Sequence, residues 1–147
     1  MPKTYTQKLI DANLISPEAI EENNKMDEKL KLLEKDYLIQ NSFVEFSIDD
    51  TKKVFENLCS REVGKKRRME PRDEPNSFKI IDKVSLKTVY LLYLDEQRTR
   101  VVIYVYTGSG GLLTSIGISR IAKKTIKDLS KDLEEEFGKF DHNKKNP

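Results

Sequence analysis

Val89-Tyr90-Leu91-Leu92-Tyr93-Leu94, then Asp95-Glu96-Gln97-Arg98, then Thr99-Arg100 leading into Val101-Val102-Ile103-Tyr104-Val105-Tyr106, is the stretch that decides the fold. Two runs of six apolar residues, rich in β-branched and aromatic side chains, flank a polar connector. That is the pattern of a β-hairpin. With the four connecting residues as the loop, Leu94 faces Thr99 and the register follows. Leu92 then opposes Val101, Tyr90 opposes Ile103 and Thr88 opposes Val105 on one face. On the other, Tyr93 opposes Arg100, Leu91 opposes Val102 and Val89 opposes Tyr104.

An antiparallel sheet with one wet face alternates apolar and polar residues along each strand. This ribbon is apolar on both faces. At roughly 25 cal/mol per Å² of apolar surface, a bare second face would cost an amount comparable to the stability of a whole domain. Each face therefore needs a cover. One cover follows in the chain: after Gly108-Ser109-Gly110-Gly111, a helix from about Thr114 to Phe137 carries Ile118, Ile121, Ala122, Ile126, Leu129, Leu133 and Phe137 as an apolar stripe. It suits the Leu92/Val101/Ile103/Val105 face. The face carrying Leu91, Tyr93, Arg100, Val102, Tyr104 and Tyr106 is the candidate binding face. Its cover is the N-terminal helix, a second copy of the chain, a partner protein or an apolar ligand.

Working outward, Ser16-Pro17-Glu18 reads as a helix start, with a hydroxyl cap, proline in the first turn and an acid at the positive end of the dipole. The helix is expected to run to about Gln40 with Met26, Leu30, Leu33 and Tyr37 as a narrow stripe. Ser42 to Ile48 alternates as a strand, and Asp49 or Asp50 can cap a helix to about Ser60 whose apolar positions are Val54, Phe55 and Leu58. Residues 61–76 read as an exposed loop with a short edge strand near Arg68–Glu70. Phe78, Ile80 and Val84 mark another strand, and residues 138–147 a polar tail.

These elements predict an α+β fold: a curved antiparallel sheet of four or five strands packed on a long C-terminal helix, with an extra N-terminal helix. The expected organisation is a helical extension over residues 1–40, an α+β domain over 41–138 and a disordered polar tail over 139–147. The 147 residues suit one domain. A net charge of +2 argues neither for nor against nucleic acid, and a single cysteine excludes an internal disulfide framework or a multi-cysteine zinc site. No apolar run is long enough to span a membrane, and Met1-Pro2-Lys3 begins no signal-peptide core, so a cytoplasmic protein is expected.

Few residues suggest chemistry. The glycine turn lacks the Lys-Ser/Thr of a P-loop, and Leu113 stands where a dinucleotide fingerprint needs glycine. Nucleophilic catalysis would need a base beside Cys59 or a serine, yet the only histidine, His142, falls in the expected tail. The pairs Asp49/Asp50 and Asp95/Glu96 sit where a cap or a turn wants an acid. No catalytic, cofactor or metal residues are assigned. The basic run Lys65, Lys66, Arg67 and Arg68, with Arg72, Arg98 and Arg100, could meet phosphates while Tyr93, Tyr104 and Tyr106 stack on bases, although acids at 62, 70, 73 and 74 dilute it.

Phe43-Val44-Glu45-Phe46-Ser47-Ile48-Asp49-Asp50-Thr51-Lys52-Lys53-Val54-Phe55-Glu56-Asn57-Leu58 resembles the opening strand and helix of the START and pollen-allergen type (helix-grip) superfamily. Thr99 to Ile103, a glycine turn and the helix from Leu112 to Phe137 resemble its ending. That resemblance implies a sheet wrapped round a long helix, often holding lipids or other apolar ligands. The β-α-β-β-β-β-α order is also similar to a half-repeat of the TATA-binding protein fold, which implies a sheet platform for DNA or protein. The leading expectation is a non-catalytic binding module whose sheet face takes an apolar ligand or a protein partner, a second copy included. The alternatives are a nucleic-acid platform using the basic loop, and an enzyme of unknown class.

Overall fold

The computed structural model describes residues 3–61, 66–83, 85–107 and 112–145, with the backbone alone at 112–119 and 144–145. The glycine turn and Lys65 lie outside the described residues, as does Val84. The chain opens with α1 (Tyr5–Asp11), whose first turn is capped by Thr4 accepting from the Gln7 amide. Asn13, at φ 57°, ends it in the left-handed region that asparagine tolerates. A 3-10 turn (Pro17–Ala19) leads into α2 (Ile20–Leu33).

The helix expected to reach Gln40 stops at Leu33, and β1 (Tyr37–Val44) begins where its last turn was placed. Tyr37 continues the helical spacing of Met26, Leu30 and Leu33, but Tyr37 and Ile39 are β-formers, and pairing of Tyr37, Leu38 and Ile39 with Tyr106, Val105 and Tyr104 decides the outcome. The boundary drawn at residue 40 therefore falls inside a strand. Then come α3 (Ile48–Cys59), capped by Ser47 and not by Asp49 or Asp50, and the strands β2 (Arg68–Pro71), β3 (Ser77–Ile81), β4 (Leu86–Asp95) and β5 (Arg98–Tyr106). The last element, α4 (Leu112–Lys145), takes in residues 139–145, where a disordered tail was expected. Phe46 holds the end of this helix, stacking on Phe137 at 5.2 Å and meeting Phe140 edge-on at 5.8 Å.

The chain is α+β: all five strands pair antiparallel in one open sheet, in the order β1-β5-β4-β3-β2. Helices cover both faces of the central strands. On one face Val89, Leu91, Val101, Ile103, Phe78 and Ile80 pack with Val54, Phe55 and Leu58 of α3 and with Leu129 and Leu133 of α4. On the other, Tyr90, Leu92, Val102 and Tyr104 pack with Met26 and Leu30 of α2.

The register of the central hairpin differs by one residue from the expected one. Leu92 pairs with Arg100, Tyr90 with Val102 and Thr88 with Tyr104. A bulge at Leu94 causes the slip: Tyr93 pairs with Thr99 and Asp95 with Arg98, so the turn is Glu96-Gln97 alone. Because strand side chains alternate, one extra residue moves every β4 side chain to the opposite face. The bulge is used structurally. The Leu94 carbonyl accepts from the Ser16 amide at 2.9 Å and the Tyr93 carbonyl from the Asn23 side chain at 3.2 Å, which ties the N-terminal segment to the sheet.

Candidate functional site

The register slip divides the six residues of the candidate binding face. Arg100, Val102, Tyr104 and Tyr106 share the α2 face, whereas Leu91 and Tyr93 point to the side of α3 and α4. Leu91, Arg100, Val102 and Tyr104 are buried, Tyr93 is half-buried and Tyr106 is exposed. Of the candidate covers, the N-terminal helices occupy the centre of this face.

They are held there by a charge. Arg100 is 0% exposed, and its N–H donors meet oxygen acceptors. Nη2 donates to Asp27 at 2.6 Å and to Asn41 at 2.8 Å. Nη1 donates to the Asn23 side chain at 3.2 Å and its carbonyl at 3.4 Å, and Nε to Asn41 at 3.1 Å. The guanidinium also lies 4.5 Å from the ring centre of Tyr5. Burial pulls the Arg100 pKa below its ordinary value, and Asp27 and Tyr5 oppose that shift. Asp27 in turn accepts from the Thr6 amide at 2.9 Å and from the Thr6 hydroxyl, so α1, α2, β1 and β5 meet at one ion pair.

The other nominated arginines also have acidic partners. Arg67 is buried and donates to Asp132 of α4 at 2.8 Å. Arg68 pairs with Glu70 at 2.9 Å, Arg72 lies 3.9 Å from Glu74, and Arg98 pairs with Asp95. Of the basic run only Lys66 and Arg68 are exposed among the described residues. No set of free arginines beside the tyrosines remains there for a phosphate backbone.

What stays open is the end of the sheet beyond the reach of α2. A groove of about 720 Å³ runs there, floored by Thr88, Tyr104 and Lys79 and bounded by Tyr37, Arg72, Ser85 and Val105. Leu86, Tyr106 and Ile121 rim it at 46%, 50% and 47% exposure. Tyr37 meets Tyr104 and Tyr106 edge-on at 5.1 and 5.4 Å. Tyr90, stacked on Tyr104 at 5.9 Å, separates the groove from α2. Its hydroxyl accepts from Lys29 of α2 and from Arg72, and Glu74 stands 3.3 Å away. Burial pushes the Tyr90 phenol up, but hydrogen bonds from Lys29, Tyr104 and Arg72 more than offset it, leaving its pKa below the usual value. Tyr104 is pushed up to about 12, first by burial and then by the adjacent Tyr90.

A second cavity, of about 460 Å³, lies between α3 and the β2–β3 edge and is lined by Cys59, Met69, Pro71 and Phe78 with Lys52 and Glu56. Burial pushes the Cys59 thiol up, against the pull of Arg67 and Lys87, so the thiol is not activated. His142 sits on α4 and not in a tail. Among the described residues no three histidine, cysteine or acidic side chains are grouped to hold a metal, and no helix is long and apolar enough to cross a membrane.

Sequence reasoning named Tyr104 and Tyr106 and missed Leu86, Thr88, Lys79 and Ile121 as their neighbours. The signal was partly present: Leu86, Thr88 and Tyr90 share a parity, but only the bulge puts that parity on the face of Tyr104. No protein-family model matches the chain, and no curated protein matches it.

Proposed function

We propose that the protein is a non-catalytic binding module whose groove at the open end of the sheet takes a small molecule with an apolar body and an anionic group. One observation carries the reading. Of the five large hydrophobic side chains exposed among the described residues, Leu86, Tyr106 and Ile121 rim one groove, beside the cations Arg72 and Lys79. Scattered singly, such residues would call for no explanation; gathered round a concave floor of Thr88, Tyr104 and Lys79 they fit a ligand surface. The volume of about 720 Å³ suits one ligand of drug-like size. Lys79 has no ion pair among the described residues, which favours an acid over a neutral molecule.

The probe anilinonaphthalene sulfonate has both features. It is expected to bind the native protein at one site with enhanced fluorescence, to lose that site in Leu86→Asp, and to bind more weakly in Lys79→Glu. Native mass spectrometry of the protein as purified reads any endogenous occupant. Probe binding unchanged in Leu86→Asp would remove the groove from consideration.

A further inference from the structure

We infer that β1 is a pairing edge, and that a second copy of this chain adds to it antiparallel to form a closed, two-fold dimer with one continuous sheet. The inference rests on the two edges of the sheet and stands independently of the groove. An open sheet presents unpaired N–H and C=O groups at each edge, and proteins that remain monomeric blunt those edges with charge, proline, bulges or short length. The edge strand β2 is blunted: it has four residues, carries Arg68 and Glu70, and ends in Pro71, which has no N–H. The edge strand β1 has none of these devices. Its eight residues, Tyr-Leu-Ile-Gln-Asn-Ser-Phe-Val, contain no charge and no proline, and they pair with β5 in an unbroken register.

The free groups can be assigned. The Thr107 amide donates to the Asp36 carbonyl just outside the strand. Antiparallel alternation then turns Leu38, Gln40, Ser42 and Val44 toward β5 and leaves the N–H and C=O of Tyr37, Ile39, Asn41 and Phe43 facing outward. None of these backbone groups is bonded to another element among the described residues.

The occupant follows from self-complementarity. A two-fold axis perpendicular to the sheet at Gln40 sets Ile39 against Asn41 and Tyr37 against Phe43 of the other copy, with outward-facing residues forming the hydrogen-bonded pairs. Phe43, 38% exposed in the single chain, would be covered by a tyrosine. The same axis sets Lys35 against Glu45 twice over. Both are exposed, one beyond each end of β1, and neither has an ion pair within the chain among the described residues. The blunted β2 edge disfavours head-to-tail addition of β1 to β2, which would grow an open fibre, so the assembly closes at two copies.

Sedimentation equilibrium on the full chain tests this. The expected result is a species of twice 17.1 kDa, in reversible exchange with monomer. Lys35→Glu or Glu45→Lys alone is expected to raise the dissociation constant about tenfold, because each sets like charges face to face twice. The double variant Lys35→Glu/Glu45→Lys restores the pairs and is expected to recover the original constant. Both positions are exposed, and circular dichroism checks that the fold is kept. A monomer at every concentration would overturn the inference, as would growth into larger polymers. A dimer indifferent to the single charge reversals would place the interface elsewhere and equally overturn it.

Discussion

Replacing Asp27 with alanine removes the only carboxylate that, among the described residues, is bonded to the guanidinium of Arg100, a group 0% exposed in the middle of the sheet. The bond is 2.6 Å long, and the remaining acceptors, from Asn23 and Asn41, are neutral. Leaving a buried charge without its partner costs about 3–5 kcal/mol, a large share of the roughly 5–15 kcal/mol by which a domain is stable. With a urea slope of about 2 kcal/mol per M, the unfolding midpoint is expected to fall by about 2 M. Undocking of α1 and α2 sets an upper limit, because once these helices leave, Arg100 can be hydrated. Amide exchange that accelerates in residues 5–33 and not in β4 and β5 identifies that route. The control is Asp27→Leu combined with Arg100→Met, which removes both charges and is expected to lie much closer to wild type than Asp27→Ala. A loss below about 1 kcal/mol in Asp27→Ala, with exchange unchanged, would refute the claim that this ion pair anchors the cover.

Arg67→Glu is expected to cost about 3 kcal/mol, because it sets a buried acid against Asp132, whereas the neighbouring Arg68→Glu should stay within about 0.5 kcal/mol; thermal melts compare them. Leu129→Ala, at a fully buried position facing α3 and the sheet, is expected to cost about 2–5 kcal/mol in urea unfolding. In an alkaline titration followed by tyrosinate absorbance, one of the six tyrosines is expected to ionise near 12, and Tyr104→Phe should remove that step. The folded state holds this proton well above the ordinary tyrosine value of 10.0, so its contribution to stability is fully present below 10 and is lost as pH rises toward 12.

The two-sided greasiness of β4 and β5 was legible in the sequence, and with it the need for a layer on each face; burial of Val89, Leu91, Val101 and Ile103 on one side and of Tyr90, Leu92, Val102 and Tyr104 on the other meets that need. The pairing of those residues was not legible. A hairpin register depends on how many residues the turn consumes, and nothing in Leu94-Asp95-Glu96-Gln97 marks Leu94 as a bulge. That depends on Ser16 and Asn23, distant in the chain, which take up the carbonyls the bulge releases. The end of α2 was misplaced for a related reason. Met26, Leu30, Leu33 and Tyr37 keep helical spacing across a boundary that is decided by β5. Arg100 read as a surface cation because isolated arginines are usually wet, and its partners come from separate elements. The groove depended on the register, so Leu86 and Thr88 could not be assigned to it until β4 was placed.

The arrangement stands or falls on which helix covers which face of the central strands. A methyl-labelled NOE experiment reads this directly. Met26 and Leu30 methyls are expected to show cross-peaks to Tyr90, Val102 and Tyr104, while Leu129 and Leu133 methyls see Leu91 and Ile103. Met26 and Leu30 without contacts to the sheet, or Tyr104 in contact with Leu129, would contradict it.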